Sequence, residues 1–190
     1  MIFAGLWQLG SGSWLLLKAQ LAQYLIRDSW QRQLSSGEPH KPWPWADTWP
    51  VAQLQLGDEK PLVVLQGTSG EALAFGPGLY ASSVLPGATS DLGVAVIAAH
   101  RDTHFRGLGK LRVGMPVQLQ GADGRWHSFR VTDAEIVDSR NAVLPATMTA
   151  KRSWGLILMT CYPFDALDSG GPLRYLVYAE YSGTAQPVRL

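Results

Sequence analysis

Apolar and polar positions change rhythm several times along this chain of 190 residues. Residues 1–17 contain no ionisable side chain, and Lys18 is the first. As a helix that stretch would reach about 26 Å, slightly short of a bilayer core of ~30 Å. Gln8, Ser11 and Ser13 weaken its hydropathy, and no small-residue cleavage pattern stands out, so residues 1–17 predict an uncleaved membrane anchor. From Lys18 to Leu34 the period is helical. Leu17, Leu21, Tyr24 and Leu25 recur at i, i+4, i+7 and i+8, while Gln20, Gln23, Arg27 and Gln31 line an opposite stripe. Residues 18–34 therefore predict an amphipathic juxtamembrane helix. Residues 35–50 carry Pro39, Pro42, Pro44 and Pro50, which deny the stretch a helix or central strand and predict an extended linker. Trp43, Trp45 and Trp49 would staple that linker onto the domain beginning at residue 51.

Residues 51–190 read as one domain of short, β-rich apolar runs divided by turn residues. The runs predict strands near Leu62–Gln66, Leu79–Ser82, Val94–Ala99, Val117–Gln120, Trp126–Val137, Trp154–Thr160 and Arg174–Tyr181. Between them stand the turn clusters 76–78, 86–87, 121–124 and 169–172, rich in Gly and Pro. Phe105–Leu111 is the one short helix that the pattern suggests inside the domain. Short strands at this spacing predict a closed barrel or a sandwich.

Composition narrows the function without naming it. The chain is 46% hydrophobic and only 16% charged, which excludes a disordered chain and fits a filled core with an apolar terminal segment. A net charge of +1 without any Lys/Arg-rich run gives no sign of a nucleic-acid partner. The single cysteine excludes a disulfide scaffold.

That cysteine, Cys161, stands where the apolar run Trp154–Thr160 meets a polar, Gly/Pro-rich loop. A lone thiol is either an inert core residue or a reactive one, and a strand mouth favours reactivity. His100 ends the run Val94–Ala99, and Arg174 opens the run Arg174–Tyr181. If the Cys161 and Arg174 runs pair as an antiparallel hairpin, the two residues face each other across the 12-residue loop Tyr162–Leu173. His100 joins them if its own strand points to the same edge, which the sequence leaves open. The division of labour would be a thiolate nucleophile, an imidazole for proton transfer and a guanidinium beside a developing oxyanion. His100 and His104, with Asp102 between them, imitate a metal site, but the spacing needs a helix where a strand ends, so no metal is expected. His40 and His127 read as surface residues.

His100, Cys161 and Arg174 lie 61 and then 13 residues apart, with Thr160-Cys161 ending a penultimate apolar strand and Arg174 opening the last one. In this order the chain resembles a sortase from about residue 60 to 181. Ile157–Cys161 is similar to that family's Thr-Leu-x-Thr-Cys signature, with Ile157 in place of the first Thr; Ala99-His100 is similar to its Gly-His. The run His100–Phe105, followed by Leu108 and Leu111, together with the anchor and the Pro/Trp linker, is most similar to the sortases of Gram-negative bacteria.

The resemblance implies an eight-stranded β-barrel preceded by an anchor helix, and a cysteine transpeptidase that needs no cofactor. Such an enzyme cleaves a Leu-Pro-x-Thr-Gly-like sorting signal near the C-terminus of a secreted protein. It holds the fragment as a thioester and passes it to an amine. Cys161 would attack the Thr carbonyl, His100 would protonate the leaving amine, and Arg174 would steady the substrate and its oxyanion. Thr160 would contribute to substrate binding, and the loop from Ser139 to Ser153 would read the sorting motif. The chain would sit in the inner membrane with its barrel on the periplasmic side. A cysteine peptidase that only hydrolyses the signal, and a tethered binding barrel without catalysis, are the alternatives.

Overall fold

The fold is that of a computed structural model, covering residues 2–87, 93–141, 154–166 and 171–185. Strict alternation makes Pro50–Leu56 the first strand, β1, with Ala52, Leu54 and Leu56 buried and Val51, Gln53 and Gln55 only half so. The strands expected from the sequence begin only at Leu62, so β1 is an addition, although Ala52–Leu56 alternates as a half-buried strand does. The remaining strands are β2 (Leu62–Gln66), β3 (Gly78–Leu79), β4 (Val94–Ala98), β5 (Pro116–Gln120), β6 (Trp126–Asp138), β7 (Gly155–Cys161) and β8 (Leu173–Ala185). They close into a barrel in the order β1-β2-β3-β4-β7-β8-β6-β5. The eight-stranded barrel implied by the resemblance is therefore the observed architecture.

Inward residues from all eight strands fill the interior, among them Leu54, Val64, Leu79, Ile97, Leu119, Phe129, Leu158 and Val177. Phe105 and Leu108 add to this filling, each fully buried. They come from the segment expected to be a helix over Phe105–Leu111. Only a 3₁₀ turn, Leu108–Lys110, forms there; with Gly107 and Gly109 in so short a stretch, helix nucleation is poor. A helix absent from the sequence reading, α2 (Gly70–Phe75), connects β2 to β3 and is capped by Ser69, whose hydroxyl accepts from the Ala72 amide at 3.3 Å.

β7 differs from its neighbours in being buried on both faces from Gly155 to Thr160. Leu156 and Leu158 point into the barrel, whereas Ile157 and Met159 join an outer cluster with Ala98, Leu176 and Tyr178, flanked by Leu73 of α2 and by Tyr80. Coverage on two sides explains why this strand reads as an uninterrupted apolar run rather than an alternating one.

At the N-terminus one continuous helix, α1 (Ile2–Ser36), takes in both the stretch expected as an anchor (1–17) and the expected amphipathic helix (18–34), and among the described residues no helix is long and apolar enough to cross a membrane. The packed face is also different. Ala22, Ile26, Ser29, Trp30 and Gln33 are buried, while Leu17, Leu21 and Tyr24 of the predicted apolar stripe are more than half exposed. Ile26 and Trp30 nest against Val63 and Leu65 of β2 and Ala72 of α2, and the Trp30 indole N–H donates to Gln120 at 3.3 Å. Trp30, at i+8 from Ala22 and i+4 from Ile26, is the largest fully buried side chain of this face.

Residues 37–49 form no strand or helix and cross the outside of β2. Trp43 staples this stretch edge-on to Phe75, with ring centroids 5.1 Å apart, and the Thr48 hydroxyl donates to the Gln66 carbonyl at 2.7 Å. Trp45, expected to help, is instead 79% exposed. His127, expected at the surface, is buried beside Asp123 and Tyr181 because the alternation of β6 turns it inward.

Candidate active site

Strand order delivers three chemical groups to one rim of the barrel. β7 pairs antiparallel with β8, and their register sets Cys161 directly opposite Arg174. On its other side β7 pairs parallel with β4, with Ala98 opposite Met159. A parallel pair ends at a common edge, so continuing that register by two residues brings His100 beside Cys161. The orientation of the His100 strand, open in the sequence, is thus fixed by a parallel pairing between strands that stand far apart along the chain.

Around this rim lies a cavity of about 200 Å³ lined by Thr68, Leu73, Tyr80, Ala98, Ala99, His100, Met159, Thr160, Cys161 and Arg174. Cys161 is half-buried and free, the first residue of β7 to leave the packed interior. His100 is exposed. Arg174 Nη1 donates to the carbonyls of Gly171 at 2.6 Å and Leu173 at 2.9 Å, which props the guanidinium over the cavity. Tyr80 lines the same cavity. Burial pushes its hydroxyl pKa up, and the nearby charge of Arg174 offsets part of that rise.

Thr160, expected to bind substrate, also lines the cavity, but its side chain is 2% exposed and its hydroxyl donates to the Ala99 carbonyl at 2.7 Å. Its visible work is to tie the residue before the thiol to the residue before the imidazole. His104 stands close enough to His100 to feel its charge. Burial first, and His100 second, hold its pKa below the ordinary histidine value. Among the described residues no group of three or more His, Cys, Asp or Glu side chains is arranged to hold a metal ion.

The loop expected to read the sorting motif lies for the most part outside the described residues, and only its root is seen. There Asp138 and Arg140 pair at 2.5 Å, and the hydrogen bonds from Arg140 bring the Asp138 carboxyl down to about 2. Ser139 donates from its hydroxyl and its amide to the Pro172 carbonyl, fastening this root to the loop before Arg174.

Sequence reasoning missed what lies between the expected residues. Arg101, next to His100, is 6% exposed, and its guanidinium donates to the carbonyls of Pro163 and Ala166, both at 2.8 Å. An arginine beside a histidine in a polar turn reads as a solvated residue, so nothing in the pattern announces its burial. Leu73 was missed because α2 was missed, and Tyr80, inside the strand expected over Leu79–Ser82, was not singled out because periodicity does not show that it meets the site.

A closed eight-stranded barrel thus carries a cysteine, a histidine and an arginine around one cavity at its rim. A model of the sortase domain matches residues 56–182, and this chain belongs to the sortase family. It is 32% identical over 119 residues to sortase D of Bacillus subtilis, an alignment spanning 63% of this chain and 57% of that protein. The chain therefore spans little more than half the length of that curated relative. Among solved structures, sortase A from Corynebacterium diphtheriae superposes with a TM-score of 0.63 at 21% identity, covering 76% of this chain and 66% of that one. Sortase C of Streptococcus pneumoniae gives a TM-score of 0.60 at 23% identity, covering 71% and 68%. At these identities the structural likeness speaks for the fold.

Proposed function

We propose that this chain is a cysteine transpeptidase that cuts a C-terminal sorting signal, of the Leu-Pro-x-Thr-Gly kind, from a secreted protein and transfers the acyl fragment to an amine. The observation that carries this reading is the β4–β7–β8 register, which gathers His100, Cys161 and Arg174 around one cavity. In it the Cys161 thiolate adds to the Thr carbonyl of the signal, and the Arg174 fork stabilises the oxyanion. His100 gives its proton to the departing amine as the C–N bond breaks, leaving a thioester. An incoming amine then adds to the thioester, surrenders a proton to His100 and expels the thiolate. Positioning lets a dilute amine compete with water, because effective concentrations near a bound acyl group far exceed those in solution.

Membership among the sortases of Gram-negative bacteria is part of the same reading, and it rests on the run His100–Phe105 and the uncharged residues 1–17. So is attachment to the inner membrane with the barrel in the periplasm. Support for attachment comes from the outer face of α1, where Trp14, Leu17, Leu21 and Tyr24 are all more than half exposed in a helix with no charged residue before Lys18. Fractionation of cells, followed by protease protection of the barrel, tests it.

The test of the reaction is to incubate the full chain with a panel of Leu-Pro-x-Thr-Gly-type peptides and a short amine donor, read by mass spectrometry. Amine-ligated product in excess of the hydrolysed acid is expected. Acid alone across the panel would make the protein a hydrolase. No turnover together with a thiol inert to alkylation would leave a binding barrel.

A further inference from the structure

Cys161 runs directly into the turn Pro163–Ala166, in which the Ala166 amide donates back to the Pro163 carbonyl at 3.4 Å. His100 runs directly into Arg101. The two carbonyls that bracket the turn, those of Pro163 and Ala166, each accept at 2.8 Å from a different terminal nitrogen of Arg101, and its third nitrogen, Nε, lies 3.4 Å from Asp102. One planar fork thus spans one turn. A second clasp lies beside it: the Phe164 ring sits so tightly on Gly109 that a Cβ there would come within 2.8 Å of it. Phe164 also meets Tyr175 of β8 edge-on at 5.2 Å, and Tyr162 stacks on the same ring at 6.3 Å.

Burying a guanidinium carries a large desolvation penalty, and an apolar side chain of similar length would fill the same space without it. What an apolar side chain lacks is directed donors that hold two carbonyls in a set geometry. We propose that Arg101 is a positioning residue: it locks the turn after the nucleophile to the segment after the imidazole, and so sets how the Cys161 thiol and the His100 ring face each other. The Thr160–Ala99 hydrogen bond fixes the same two chain segments one residue before the reactive pair. Arg101 fixes them just after it, so the pair is held from both sides. This inference rests on Cys161 and His100 forming a coupled site, and it adds a residue that touches neither substrate nor reacting atom.

The test uses iodoacetamide as the probe, so it does not depend on knowing the peptide. Alkylation of Cys161 in the full chain is followed against pH in wild type, His100→Ala, Arg101→Met and Arg101→Lys, with thermal melting recorded for each. The displacement between the wild-type and His100→Ala profiles measures the thiol–imidazole coupling. Arg101→Met is expected to move more than halfway to the His100→Ala profile. Arg101→Lys, which can serve one carbonyl but cannot span both, is expected to fall between. A wild-type profile in Arg101→Met, whatever its melting temperature, would make Arg101 a structural residue only and overturn the inference. If Arg101→Met does not fold, Arg101→Lys decides alone, a wild-type profile again overturning it. Identical profiles for wild type and His100→Ala would instead remove the coupled site, and this inference with it.

Discussion

At Cys161 the barrel interior gives way to solvent within one residue, since Thr160 is buried and Cys161 is not. That step, together with the apolar run before it, is why the cysteine could be singled out from the sequence. Arg174 was legible for the same reason, as the first polar residue of another apolar run. Its chemistry is more specific than its charge. Because Nη1 is already held by two loop carbonyls, the fork has a fixed plane, which an ammonium on a flexible stem does not reproduce. Arg174→Lys is expected to lose at least about tenfold in peptide turnover with little change in melting temperature, a loss corresponding to ~1.4 kcal/mol or more in the barrier; turnover close to wild type would leave Arg174 a general electrostatic residue. His104 supplies a pH prediction. Its pKa is lowered by burial, so the unfolded chain binds its proton first as pH falls. Stability from this residue is therefore complete above the ordinary histidine value of about 6.5 and declines as pH drops below it. His104→Gln should flatten the fall in melting temperature between roughly pH 7 and 5, and an unaltered slope would contradict the assignment.

Among the elements, six of the eight strands were readable as alternating or doubly buried apolar runs. β1 was missed although its inward Ala and Leu residues alternate with Gln as a half-buried strand requires, because it follows directly on the Pro-rich stretch read as a linker, and β3, at two residues, was read as longer than it is. The pairing that builds the site was not readable. β4 and β7 lie side by side in parallel although some fifty-six residues separate their ends and starts, from Ala98 to Gly155, and hydrophobic periodicity carries no information about which strands meet. Thr160 shows what that pairing requires. Its hydroxyl bridges the two strands where both carry reactive residues next in line, so Thr160→Val keeps the shape but strands the buried Ala99 carbonyl. The expected cost is about 1–3 kcal/mol in chemical denaturation, accompanied by a larger relative loss of turnover than that destabilisation alone explains. Full activity would reduce Thr160 to packing.

For the whole molecule, the helix read as an appendage is built into the domain. Trp30 and Ile26 complete a buried cluster with Val63, Leu65 and Ala72. The sequence reading placed the correct helical period on the wrong face, because Ala22, Ser29 and Gln33 dilute the apolar signal of the face that docks. Trp30→Ala is expected to destabilise the protein by about 3–5 kcal/mol in denaturant unfolding, and a chain shortened to begin near residue 38 should melt well below the full chain. Unchanged melting would mean that α1 docks without contributing to the fold.

A covalent bond at Cys161 is the step on which the proposed reaction depends. Intact-mass spectrometry of the full chain after brief exposure to a Leu-Pro-x-Thr-Gly-type peptide should show a species heavier by the N-terminal peptide fragment, mapped to Cys161, discharged by an added amine and absent from Cys161→Ala. Peptide cleavage that persists undiminished in Cys161→Ala would contradict it.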